Sequence, residues 1–407
     1  TAYEISACLV GSEMCIRDRP RTTTTTTSPG TGPLIPTAWQ SWHRKSLRLE
    51  PVTQICMSEA ELKPEPWAFH LLGLITPLLA ISGNILGVLE SQVFAAMGVV
   101  FVWGVGPILD IVMGESKVAR PPRESGTPFE VLLWAHGILQ LVVVGTFFWF
   151  AANEGLTWWL VVGGLSSGLS AASSAIVTAH ELGHKKRGSP GWRLARVLLF
   201  SVNYTHFTYE HNHVHHKWVS TDKDSASARA DQGLWSFWLS TIPGQFVSSA
   251  NVHNKRGRTG FSNPTYRGLI LQIATLLSIA LVPGWMGWFD GIPVAVGWLV
   301  LSAISILTLE YVNYIRHWGL RRSEDERFAK EHSWNTEARW SRWSLLELTR
   351  HSDHHLRASV PFWKLRPYEG TPELRWGYYA SWWPCLVPPI WNRAMRDRLP
   401  ENQQLSG

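Results

Sequence analysis

Histidine is the reactive residue of this 407-residue sequence, with 16 of them, most gathered in short clusters. His180 and His184 stand four apart in H-E-L-G-H-K-K, so a helix puts both on one face, about 6 Å apart along its axis. E-H-N-H-V-H-H at 210–216 offers His211, His213, His215 and His216, and R-H-S-D-H-H at 350–355 offers His351, His354 and His355. His317 lies between these clusters, in N-Y-I-R-H-W-G-L at 313–320. Neutral imidazole is a common metal ligand. H-E-x-x-H alone is also the signature of zinc peptidases, with Glu181 as base. Such a site needs three protein ligands, however, and the clustered histidines here exceed one metal and suit two. Imidazole serves Fe, Zn, Cu and Ni alike, so ligand type does not select the metal. Isolated histidines such as His70 and His136 read as packing or interface residues.

Elements of a particular kind must position these clusters. Six apolar stretches, at about 66–89, 91–113, 129–152, 156–179, 267–287 and 291–315, are each near the ~20 residues that cross a hydrocarbon core. No Lys or Arg occurs between Lys63 and Lys117, between Arg123 and Lys185, or between Arg267 and Arg316. The short loops near Glu90, Glu154 and Asp290 carry only acidic charge. Alternating spans therefore put every Lys and Arg from Lys63 onward on one side, a positive-inside pattern with both termini and the 181–266 loop in the cytoplasm. Buried helices of a large soluble protein would not sort charge in this way. The 24 Trp fit residence at a lipid–water boundary. The expected fold is all-α: a multi-pass membrane protein of six helices with a helical, histidine-rich cytosolic part. The +6 charge reads as flanks facing anionic lipid, and no basic, aromatic-interleaved run suggests nucleic acid. Cys8, Cys15, Cys56 and Cys385 form no C-x-x-C pair, which excludes a four-cysteine iron site within the chain.

Residues 1–64 are expected to be a disordered N-terminal segment. Thr22 to Thr27 are a threonine run, and 1–19 resemble a translated sequencing adapter and are set aside. The membrane domain is expected over 65–398, with a tail at 399–407.

From about Trp67 to Arg398 the chain resembles the membrane-bound alkane 1-monooxygenases, relatives of xylene monooxygenases and of membrane fatty-acid desaturases and hydroxylases. H-E-L-G-H-K-K, E-H-N-x-x-H-H, H-S-W-N at 332–335 and R-H-S-D-H-H carry the resemblance. It implies a non-haem diiron centre held by His180, His184, His211, His215, His216, His317, His351, His354 and His355, with O2 as co-substrate. His213 falls at a variable position. Asp224 matches an acidic residue of the family and is a candidate for orienting a ligand imidazole, as are Glu181, Glu210 and Asp353. Val214, Arg316, Trp318 and Ser225 depart from the usual Gly, Glu, Tyr and Pro. An Arg beside a metal site disfavours cation binding unless its charge points away or is paired.

The resemblance implies terminal hydroxylation of medium- to long-chain alkanes. An unactivated C–H bond gives side-chain acids and bases nothing to act on, so a cofactor must carry the hard step. Substrate would come from the bilayer, and Gly163, Gly164, Ser167 and Ala171 could leave room for it beside His180; close helix packing is the other reading. Electrons would come from a rubredoxin or ferredoxin and its NAD(P)H-dependent reductase. Arg366, Arg375, Arg393, Arg396 and Arg398 could meet an acidic donor, or anionic lipid. The location would be a plasma or inner membrane in a bacterium, an endomembrane or organelle in a eukaryote. Alternatives are a related diiron hydroxylase or desaturase acting on acyl or aromatic substrates, and a membrane metal-binding or transport protein. Transporters hold ions at mid-membrane on broken helices, whereas these boxes sit at or beyond span ends.

Overall fold

The computed structural model describes residues 62–122 and 125–401. The expected disordered segment and the tail therefore lie almost wholly outside the described residues. Six helices have the length and apolarity of membrane spans: α1 Trp67–Leu89, α2 Gln92–Val112, α3 Thr127–Glu154, α4 Trp158–Gly183, α8 Pro264–Trp285 and α9 Ile292–His317. Between α4 and α8 lie α5 Pro190–Ser201, a helical run at 207–218 designated α6, and α7 Leu234–Asn254. After α9 come α10 Arg339–Ser344, α11 His351–Leu356, α12 Tyr378–Cys385 and α13 Pro388–Met395. No strand occurs among the described residues, only two isolated bridges, Glu115 with Ala338 and Asn335 with Glu373. The protein is an all-α integral membrane protein.

The boundaries follow from local chemistry. Thr157 caps α4 by accepting the Trp159 N–H at 3.1 Å, and Asn263 caps α8 through Thr265 N–H at 2.9 Å. Pro190, Pro264 and Pro293 sit in first turns, where a missing N–H costs nothing. α9 stops short of Gly319, whose φ of 72° suits glycine. Pro283 does not break α8, which runs on to Trp285.

α4 is the central helix and α8 a peripheral one: 89% of the most apolar window of α4 is buried, against 11% for α8. Small residues let α4 sit this deep. A Cβ on Gly164 would come within 2.7 Å of Val300 Cγ1, and one on Gly163 within 2.8 Å of Phe150 Cε1. Burying α4 on all sides locks the helix that carries His180 and His184.

Two polar anchors fix the C-terminal part to the bundle. Asp110, buried at the end of α2, accepts from Ser341 N–H at 3.0 Å, Tyr379 N–H at 2.9 Å and Ala380 N–H at 3.1 Å. One carboxylate thus satisfies otherwise unpaired N–H groups at the starts of α10 and α12. Arg342 donates to Glu347 and Glu65, and Arg350 pairs bidentately with Glu337. Burial alone would raise the Glu347 carboxyl, but Arg342, Arg350 and His70 hold it well below the usual carboxylate range. This network clamps a turn in which Leu346 and Glu347 both take positive φ, directly before the third histidine box.

Candidate metal centre

Four segments converge at one end of the bundle. The end of α4 brings His180 and His184; α6 brings His211, His215 and His216. The last residue of α9 is His317, and α11 brings His351, His354 and His355. They form two groups, His180–His184–His211–His354 and His215–His317–His351–His355. Within each group one ligating atom per residue lies within 4.8 Å of all the others. His216 sits between the groups. Its Nε2 is 3.0 Å from His211 Nε2 and 3.1 Å from His354 Nε2, and its ring centroid is 4.5 Å from that of His355.

Local helix geometry produces the split. The turn at His211–His215 is a π-helix, a wider winding often found at functional sites. His211 joins the first group and His215 the second, and Val214 is buried within this turn. In α11 the spacing i, i+3, i+4 sends His351 and His355 to the second group and His354 to the first. Asn335 of the H-S-W-N stretch fastens α11 in place. Its Nδ2 donates to Ser352 Oγ at 2.7 Å while its Oδ1 accepts the Ser352 N–H at 3.0 Å.

The arrangement fits metal ions on three counts. His180, His184 and His215 each bury an Nε2 with no hydrogen-bond partner, an arrangement proteins avoid unless something fills the gap. The Nε2 atoms of His351 and His355 are 2.9 Å apart and those of His317 and His351 3.1 Å. Two imidazoles bound at right angles to one metal at ~2.1 Å would stand about 3.0 Å apart. Burial pushes His184 down to about 4. Burial, then neighbouring rings, holds His211, His216, His354 and His355 well below the normal imidazole value. These histidines are therefore neutral at pH 7, as ligands must be.

The carboxylates expected near the imidazoles divide. Asp224 Oδ2 lies 2.9 Å from His215 Nδ1, and Asp224 is itself fixed by Ser227 Oγ at 2.6 Å and Ala226 N–H at 3.1 Å. The hydrogen bonds of the other three go elsewhere. Glu181 accepts from Phe362 N–H at 3.2 Å, and Glu210 accepts from Ser248 Oγ at 3.3 Å. Asp353 accepts from Arg357, from Tyr368 Oη at 2.8 Å and from Arg366 N–H at 2.7 Å. Glu181 and Asp353 thus anchor the 357–368 loop rather than a histidine. His213 is exposed, outside both groups. His70 pairs with Glu347 at 3.1 Å and His136 with Ser174 at 2.6 Å.

An apolar cavity includes His180 and His211 in its lining. Leu169, Ala172, Ser173, Ile176 and Val177 of α4 form one wall; Tyr378, Tyr379 and Trp382 of α12 form another. None of the four α4 residues expected to leave room for substrate, Gly163, Gly164, Ser167 and Ala171, lines this cavity. Gly163 and Gly164 face Phe150 and Val300, Ser167 accepts from Asn84 Nδ2 at 3.1 Å, and Ala171 is fully buried. Their small size serves helix packing, while the next residues along α4 face the cavity. The contribution of α12 had no signal in the sequence beyond an aromatic-rich run. The departures from the family pattern also have places: Trp318 is fully buried, and Arg316 lines the cavity.

Six spans with two groups of clustered histidines beside an apolar cavity define a class, the membrane oxidoreductases of the histidine-box type. The fatty acid desaturase family model matches residues 156–387. The chain is 32% identical over 325 residues to alkane 1-monooxygenase 1 of Pseudomonas aeruginosa, covering 74% of this chain and 82% of that protein. It is 32% identical over 323 residues to an alkane 1-monooxygenase of Pseudomonas putida, covering 74% and 76%. The hydroxylase component of the xylene/toluene monooxygenase of Pseudomonas putida is 26% identical over 221 residues, covering 52% and 57%. The chain belongs to the fatty acid desaturase family and, within it, to the alkane 1-monooxygenases. It is an oxidoreductase.

Proposed function

We propose that this protein hydroxylates the terminal carbon of medium- to long-chain alkanes, using O2 and two irons held by its nine clustered histidines. The observation that carries the reading is the pair of four-histidine groups, with partnerless buried nitrogens, the first of which borders an apolar cavity through His180 and His211. His180, His184, His211 and His354 would hold one ion and His215, His317, His351 and His355 the other, with His216 between them. When bound, the irons supply the redox chemistry that inserts one oxygen atom of O2 into a C–H bond. The protein's own residues bind, orient and exclude. Asp224 accepts the Nδ1 proton of His215 and leaves Nε2 free as a ligand atom. Leu169, Ile176 and Val177 exclude water from the chain's path and hold its end against His180.

Electrons come from an external rubredoxin, reduced by its NAD(P)H-dependent reductase. Cys385 is buried, apart from the histidine groups, and offers no relay. Arg366, Arg375, Arg393, Arg396 and Arg398 are exposed and suit an acidic donor. The sorting of positive charge supports a cytoplasmic catalytic face. The test is a metal count on the purified protein, then octane turnover with a rubredoxin system. About two irons per chain and 1-octanol are expected. One zinc and no iron would sink the oxygenase reading. Two irons without alcohol would leave the centre standing and move the substrate.

A further inference from the structure

A second pocket, apart from the histidines, gathers positive charge at the edge of the bundle. Arg120, Lys364 and Arg366 line it, all three are exposed, and none forms an ion pair among the described residues. Arg120 donates only to the backbone carbonyl of Lys63, at 3.2 Å. The carboxylates of the same lining are committed elsewhere: Glu65 and Glu347 pair with Arg342 at 2.6 and 2.9 Å. Arg350, also in the lining, pairs with Glu337 at 3.0 Å. Three like charges are therefore held around one space with no carboxylate left to balance them, a cost that an anion would offset. The other walls fix the depth of the pocket. His70 belongs to the first residues of α1 and Phe129 to those of α3, so the pocket lies where two spans begin, on the side that carries the Lys and Arg. Trp363 stacks on Phe129 with ring centroids 5.4 Å apart, which sets the loop bearing Lys364 and Arg366 against the start of α3. Val118, in the lining, and Trp67 and Phe69, beside His70 in α1, are exposed apolar residues of the kind found at a lipid–water boundary.

We propose that this pocket binds the headgroup of an anionic phospholipid. Basic pockets between spans on the positive side of a membrane suit such headgroups. The guanidinium forks of Arg120 and Arg366 match phosphate oxygens, and Lys364 adds a point charge. Val118, Pro121 and Pro122 are exposed in the same lining and suit the apolar part of the lipid. Free phosphate would satisfy the cations but leave that apolar surface bare. A headgroup held by all three cations reaches from the connection between α2 and α3 to the 357–368 loop, the loop that Glu181 and Asp353 anchor beside the histidine boxes. Of the five arginines suited to an acidic donor only Arg366 lines this pocket, so lipid and donor draw on largely separate cations. The inference depends on neither the metal nor the substrate.

The test is native mass spectrometry of the full-length protein released from nanodiscs of equal parts phosphatidylcholine and phosphatidylglycerol. The lipid still attached after the surrounding lipid is stripped should be phosphatidylglycerol, enriched about tenfold or more over phosphatidylcholine. The double variant Arg120→Gln/Lys364→Gln should bring that ratio close to one. The control Arg256→Gln/Arg258→Gln removes two exposed arginines outside the pocket and should keep the wild-type ratio. Equal retention of the two lipids by wild type, or undiminished enrichment in Arg120→Gln/Lys364→Gln, overturns the proposal. An equal loss in the control also overturns it, because the preference would then belong to the basic face as a whole. Inorganic phosphate added in excess should leave the retained lipid in place; its displacement would make the site one for a free anion and sink the lipid assignment. Should the double variant not fold, Arg120→Gln and Arg366→Gln, each expected to lower the enrichment, decide the matter.

Discussion

The two histidine groups share α6 and α11 yet face different surroundings. The first group borders the cavity through His180 and His211, and none of its histidines accepts or donates to a carboxylate among the described residues. The second stands behind it and is braced from outside: Asp224 holds His215, and Ser333 Oγ lies 3.5 Å from His317 Nδ1. One group meets what enters the cavity; the other is oriented by the protein. The difference teaches that the two histidine groups are not equivalent, though they match in residue type and number.

The largest effects should come from the ligands themselves. His180→Ala and His351→Ala are each expected to cut turnover by more than ~100-fold, since even residues that only orient ligands cost ~10–100-fold in metal affinity. The comparison is broken by elemental analysis if one of these substitutions leaves iron content at the wild-type level. Asp224→Asn comes next: chelator competition should find ~10–100-fold weaker retention of one iron, with the other unchanged. Equal loosening of both irons would erase the asymmetry.

Smaller effects separate the cavity face of α4 from its packing face. Ala172→Phe fills the cavity and should shorten the longest chain accepted, read from product profiles, at constant iron content. Gly164→Ala presses on Val300 and should destabilise by about 1–3 kcal/mol, read by thermal unfolding, with the chain-length profile unchanged. The smallest effect at neutral pH is protonic. Histidine in an unfolded chain titrates near 6.5, whereas burial holds His184 down to about 4 and lowers His211, His216, His354 and His355. The folded metal-free protein keeps its full stability above pH 6.5. It loses stability as pH falls toward 4, because the unfolded chain takes up protons that the folded one refuses. A melting temperature constant between pH 6.5 and 4.5 would show these histidines to be wetter than the structure has them.

Much of the architecture was legible because it follows from one-dimensional rules. Span length, charge sorting and the i, i+4 spacing of His180 and His184 act within single segments. The same holds for α11, where His351, His354 and His355 share a turn and a half. Glu181 and Asp353 show where that reasoning stops. Both adjoin a box histidine in sequence, yet each is committed to holding the 357–368 loop. The small residues of α4 show the same limit: Gly163 and Ala172 lie on one helix, and only its rotation against α3 and α9 decides which of them faces empty space.

The sequence by itself determined six spans, the gathering of histidine at or beyond their ends, and the inventory of nine clustered histidines. Those properties depend on composition and spacing, which the chain carries into any fold. Only the tertiary structure decided how nine histidines divide into two groups around His216. It also decided that α12, some 200 residues beyond His180 in the chain, walls the cavity, and that Arg316 contributes to the same lining. These outcomes depend on helix rotation and long-range contact, which local spacing does not encode.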